Sequence, residues 1–216
     1  MPKLWNQYRD NKYPQSIPVL VSEPDGAPGA GGQIGIAAFP AWSTTHIKTP
    51  MRFSLIDRIV ELEPGLKISA VKTLTMAEEY LADHFPHFPV MPGVLMLEAM
   101  TQASAWLVRY NQDFSQSIVV LKEAANVKYG QFLEPGQTLL VTAEIVKPGE
   151  AETKLKAHGM VDGRIIVSAR ITLQQYNLAD TCPWHEWTDK TIIKDLQHQF
   201  SLLYQPHSEV PAVSAI

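Results

Sequence analysis

One histidine and one carboxylate stand fourteen residues apart in the run DHFPHFPVMPGVLMLEAMTQ, from Asp83 to Gln102. His84 lies in a proline-studded segment, and Glu98 lies in a stretch that is otherwise almost wholly apolar. Imidazole is the side chain best matched to proton transfer near neutral pH, and a carboxyl group can act as its acid partner. Between them, Pro92-Gly93 marks the start of a helix, whose first backbone N–H groups, that of Gly93 foremost, have no intrahelical acceptor and attract developing negative charge. A base, an acid and an oxyanion donor are what removal of a proton beside a carbonyl requires when a leaving group sits one carbon further on. Two plainer readings compete: a loop or core histidine, and a glutamate on a solvated helix face. His84 and His87, three apart, also suggest a metal pair, but the flanking prolines prevent a helix and no third ligand is evident, so no metal or other cofactor is expected.

The elements that must hold these groups are legible. Pro86, Pro89 and Pro92 fix φ at three positions and bias the residues before them toward extended backbone, so the His84 loop is expected to be rigid. The segment from Gly93 to Arg109 reads as a helix that is apolar nearly all round, which predicts a central position and takes Glu98 out of bulk water. A lone buried carboxylate is costly, and Gln102, four residues on, is placed to hydrogen-bond and orient it.

A helix covered on all sides needs a curved sheet around it. FSLIDRIVELEPG and LKISAVKTLTM read as a hairpin across Pro64-Gly65, followed by a loop around residues 78–92. After the helix, strands are expected over 117–129, 137–149, 152–161 and 164–174, with Asp162-Gly163 a strong tight-turn signal. Strands in runs with hairpin connections predict an α+β domain with an antiparallel sheet. Residues 1–46 read as an extension with a flexible Gly/Pro-rich middle, EPDGAPGAGGQIG, which lacks the Gly-Lys-Ser/Thr of a phosphate loop. Residues 177–216 form a second extension: Ile192, Ile193, Leu196, Phe200 and Leu203 recur at helical spacing after a possible cap at Asp189, as in a helix covering its own domain or a neighbouring subunit.

Charge narrows the partners. The net charge of −4 is spread without a basic run longer than a pair, which argues against a nucleic-acid or polybasic membrane surface. A single cysteine, Cys182, excludes an intrachain disulfide, and with no signal-like N-terminus or long apolar run the expected compartment is the cytoplasm.

The run from Asp83 to Gln102 closely resembles the signature of the bacterial 3-hydroxyacyl-acyl-carrier-protein dehydratases, hotdog-fold lyases of fatty-acid synthesis. MRFSLIDRIVELEPG, VKYGQFLEPGQTLLVTAEI and GMVDGRIIVSARITL resemble that family's first strand and later strands, so the likeness covers about residues 47–175 and implies one hotdog domain over residues 47–176. The resemblance implies a catalytic dyad of His84 and Glu98, with His84 taking the C2 proton, Glu98 serving the departing C3 hydroxyl and the Gly93 N–H holding the thioester oxygen. It also implies a site shared between two subunits of a dimer or trimer of dimers, an acyl-carrier-protein substrate, and an apolar tunnel with Phe85, Met91, Val94 and Leu95 as wall residues. A hotdog acyl thioesterase and an inactive acyl-binding scaffold are the alternatives. Two departures stand out: Asp83 replaces the glycine usual before the histidine, and YGQFLEPGQ carries fewer charges than the family's basic segment, which weakens the expectation of carrier docking.

Overall fold

A computed structural model describes residues 53–206 apart from Pro86; the N-terminal extension expected over 1–46 lies outside the described residues. Its secondary structure follows the sequence pattern closely. Strands β1 (Arg58–Glu63) and β2 (Lys67–Thr73) form the expected hairpin, with Gly65 at a φ of 71° in the turn and the Leu66 N–H donating to the Glu63 carbonyl. Helix α1 (Tyr80–Asp83) and helix α2 (Gly93–Asn111) come next, and then β3 (Ile118–Tyr129), β4 (Thr138–Lys147), β5 (Glu152–Val161) and β6 (Arg164–Tyr176). Helix α3 (Glu186–Leu203) follows two short 3-10 turns.

All six strands pair antiparallel in one sheet, in the order β1-β2-β4-β5-β6-β3. Strand β5 shows why one face turns inward: Thr153, Leu155, Ala157, Gly159 and Val161 are buried, while Lys154 and Lys156 between them are exposed. The turn into β6 is a two-residue hairpin in which Asp162 and Gly163 both have positive φ, 48° and 76°, the geometry that matches the right-handed twist of the flanking strands. Two register irregularities, at Leu121/Glu123 and Ala125/Lys128, bend edge strand β3 and help the sheet curl.

That curl encloses α2. From Ala103 to Val108 every residue of the helix is buried, and it touches β2, β3, β4, β5 and β6. Met96, Met100, Leu107, Leu139, Leu155 and Ile171 fill the space between helix and sheet with almost no solvent exposure. This is the α+β hotdog arrangement, a central helix wrapped by an antiparallel sheet. No helix among the described residues is long and apolar enough to cross a membrane.

Two local expectations need correcting. The segment 78–92 is not loop throughout, because Tyr80–Asp83 form a short helix with Asp83 as its last residue; one turn is too brief to leave a periodic signal. Asp189 does not cap α3, which begins at Glu186; it is buried inside the first turn and accepts hydrogen bonds from the Ser117 hydroxyl and from the backbone N–H groups of Leu178 and Ala179. It therefore clips the chain before the helix to the start of β3. Further along, Leu196 and Phe200 enter the main core, with Phe200 stacked at 5.2 Å on Tyr110 and in edge contact with Phe114 at 5.5 Å.

Burial alone would raise the Asp189 pKa, but the donors from Ser117, Ala179 and Leu178, with His185 nearby, outweigh it and hold the group below the usual aspartate value. A lowered folded-state pKa stabilises the fold above the unfolded value and is lost as pH falls through the folded one. In urea titrations, wild type is expected to exceed Asp189→Asn in stability at neutral pH, and the gap should close on acidification below about pH 4. A gap that stays constant to pH 3 contradicts the assignment.

Candidate active site

Glu98 sits on a stripe of α2 that faces away from the sheet's centre, with Gln102, Ala105 and Arg109 following at helical spacing. Gln102 determines how the carboxylate is held. Its Oε1 accepts the Leu55 N–H at 2.8 Å, so its Nε2 faces the other way, where it donates to Glu98 Oε1 at 3.0 Å and to the Phe53 carbonyl at 3.0 Å. The amide thus ties the chain entering β1 to the carboxylate one helical turn away. Glu98 is only partly buried, contrary to the expectation that helix burial would enclose it, because this stripe borders an open groove of about 390 Å3.

The groove lies between α2 and edge strand β3. Phe53, Ala105, Trp106, Val119, Val120 and Leu121 give it apolar walls, while Glu98, Thr101, Gln102 and Arg109 add polar groups. Of the residues expected to form an acyl wall, Met91 is instead buried in the core, Leu95 packs partly against that core, and Val94 and Phe85 are exposed outside the groove. Ala105 and Arg109, groove walls that sequence reasoning missed, had a usable signal: they share one helix face with Glu98 and Gln102. The contribution of β3 had none, since it depends on which strand ends at the edge.

The histidine is positioned separately. His84 is the residue after α1, its N–H donating to the Tyr80 carbonyl at 3.0 Å, and its ring packs at 4.3 Å on Phe85. Phe85 has a φ of 51°, left-handed backbone that phenylalanine rarely adopts, rather than the extended conformation expected before a proline. Beyond the loop, the Met91 N–H donates to the Leu133 carbonyl at 2.9 Å and fixes the approach to α2. No hydrogen bond or ion pair links His84 to Glu98 among the described residues of the single chain.

Helix α2 opens with Pro92 as its N-cap. The Leu95 and Met96 N–H groups both donate to the Pro92 carbonyl, whereas those of Gly93 and Val94 have no backbone acceptor among the described residues. Glycine fits a close approach here: a Cβ at position 93 would lie 3.0 Å from the Tyr129 ring, which would have to give way slightly. Two donors are therefore directed outward from a helix N-terminus beside a half-exposed aromatic ring.

The model of the FabA-like domain family matches residues 47–170, more than half the chain. The chain belongs to the FabA-like domain family. Among curated relatives of this FabA-like chain, one from Janthinobacterium sp. (strain Marseille) is 35% identical over 60% of this chain and 85% of that protein. One from Dechloromonas aromatica is 35% identical over 62% of this chain and 94% of that protein. A third, from Aromatoleum aromaticum, is 38% identical over 56% of this chain and 85% of that protein. All three bear the name 3-hydroxyacyl-[acyl-carrier-protein] dehydratase FabZ. Among solved structures, the dehydratase heterocomplex ApeI:P from Xenorhabdus doucetiae superposes with a TM-score of 0.50 at 16% identity, covering 62% of this chain and 90% of that one, a likeness of fold.

In this FabA-like domain the Gln102 amide carries three hydrogen bonds, one of them to a charged group, and hydrogen bonds of that kind contribute about 1.5–3 kcal/mol. Gln102→Leu leaves the Leu55 N–H and the Glu98 carboxylate without this partner and is expected to cost about 2 kcal/mol, measured by urea denaturation. Gln102→Glu should cost at least as much, because it sets a second carboxylate against Glu98.

Proposed function

We propose that the chain dehydrates 3-hydroxyacyl thioesters carried on acyl carrier protein to trans-2-enoyl thioesters, in fatty-acid or related acyl-chain biosynthesis. The observation that carries the reading is the Glu98 carboxylate, aimed by Gln102 into an apolar-walled groove of a FabA-like domain. Its relatives' shared name supports the reaction class. His84 removes the C2 proton, and the electron pair of that C–H bond forms the C2=C3 double bond. The C3–O bond breaks, Glu98 supplies a proton, and the hydroxyl leaves as water. The Gly93 N–H holds the thioester oxygen as negative charge develops on it. Passage of the proton from His84 back to Glu98 through solvent resets the site.

The reading also proposes that two copies complete one site, in a homodimer or trimer of dimers. Among the described residues of one chain no hydrogen bond or ion pair joins His84 to Glu98, the groove beside Glu98 is open, and the outer edge of β3 is unpaired. A second copy that pairs its β3 edge with this one and brings its His84 loop over the groove would meet all three conditions. In this scheme residues 47–176 are the catalytic domain, 1–46 and 177–216 are its extensions, and the protein works in the cytoplasm without a cofactor.

Purified protein given a 3-hydroxyacyl-carrier thioester is expected to raise enoyl absorbance without releasing thiol; thiol release without enoyl product would identify a thioesterase instead. His84→Ala and Glu98→Gln should each lower the rate about 10²–10⁴-fold. Mixing the two inactive variants under subunit exchange should restore about a quarter of wild-type activity, because half of the dimers are mixed and each mixed dimer has one intact site. No recovery, with exchange verified, contradicts the shared site.

A further inference from the structure

The groove that begins at Glu98 has a cation further along it. Arg109 follows on the same helix face, eleven residues on, which corresponds to about 16 Å along the axis. Helical side chains lean toward the N-terminus, and its guanidinium lies against Trp106 and the Val119 carbonyl, both of which line the groove. Guanidinium carries five N–H donors. Among the described residues only Nη2 has an acceptor, the Val119 carbonyl at a long 3.4 Å, and Nε is enclosed with none. No carboxylate among the described residues pairs with it, and its remaining support is the face of Trp106, 5.3 Å away. Burial pushes its pKa down to about 10, so the group remains a cation at neutral pH.

A partly buried cation with most of its donors unused is an unusual wall for an apolar groove. Covering it with the methyl end of a plain acyl chain would strip its remaining water and offer nothing in exchange. A carboxylate offers a planar pair of acceptors that matches the guanidinium fork. The apolar residues between, Ala105, Trp106 and Val119 to Leu121, suit a methylene chain.

We infer that Arg109 is a specificity-determining residue, and that the groove takes acyl chains carrying a carboxylate at the end remote from the thioester. Such a substrate places its reacting C2–C3 bond at Glu98 and its far end on the guanidinium. The inference rests on reading the groove as the acyl site of the proposed dehydratase.

The test compares 3-hydroxyacyl-pantetheine thioesters of matched length, ending in either methyl or carboxylate, over a series of chain lengths with the full chain. Wild type is expected to favour the carboxylate-ended chain at least tenfold in kcat/KM at the best length. Arg109→Met should abolish or reverse that preference, and Arg109→Lys should retain part of it. A parallel binding titration uses unreactive saturated acyl-pantetheine amides with the same two ends. Preferential binding of the carboxylate-ended amide without dehydration of any substrate would keep this inference and overturn the dehydratase reading; dehydration with no end preference would do the reverse. A preference that survives Arg109→Met assigns recognition to another cation and overturns the role of Arg109. The wild-type ratio needs no variant, so a poorly folding Arg109→Met leaves the test intact. If wild type shows no end preference and Arg109→Met dissociates into monomers, the guanidinium serves the subunit interface and the inference fails.

Discussion

The amide of Gln102 is the constraint from which the candidate site follows. An amide has distinct ends, and the Leu55 N–H occupies the oxygen, which leaves the nitrogen to face Glu98 and the Phe53 carbonyl. The carboxylate's direction is thereby linked to where β1 begins and to the axial position of α2. Neither would be fixed without the buried stretch of the helix, Ala103 to Val108, which packs against the curled sheet and against Phe200 of α3. Sheet curvature, helix depth and the aim of one carboxylate are consequently a single mechanical unit.

The two ends of α2 differ in a way that suits a long substrate. At its start are two backbone N–H groups with no backbone acceptor among the described residues, a feature that stabilises negative charge, beside Tyr129. Further along are apolar walls, and then Arg109 against Trp106. Helix α3 reinforces that far end, since Phe200 packs on both Tyr110 and Trp106, while Asp189 secures its base to Ser117 and the turn at 178–179. The C-terminal segment thus buttresses the part of α2 that carries the groove's cation.

Much of this was legible in the sequence, for identifiable reasons. The paired positive-φ residues Asp162 and Gly163 fix a hairpin from two letters, and the alternation along β5 identifies its inner face directly. Gln102 could be matched to Glu98 because i,i+4 spacing is geometry internal to a helix. What escaped depends on contacts between distant segments. Met91 is buried in the core and its backbone bonds to Leu133, forty-two residues on, while Glu98 borders a groove whose other wall is edge strand β3. Asp189 looked like a cap because aspartate favours helix starts, but its acceptors were taken by donors that only the tertiary fold supplies.

The most direct test of the account is an experimental structure of the protein with an unreactive 3-hydroxyacyl-pantetheine analogue bound. It should show the imidazole of His84 from one subunit and Glu98 from the other on either side of the C2–C3 bond, with the Gln102 nitrogen still donating to Glu98. A structure in which both groups on one site come from the same chain, or in which the Gln102 amide is turned away from the carboxylate, would contradict it.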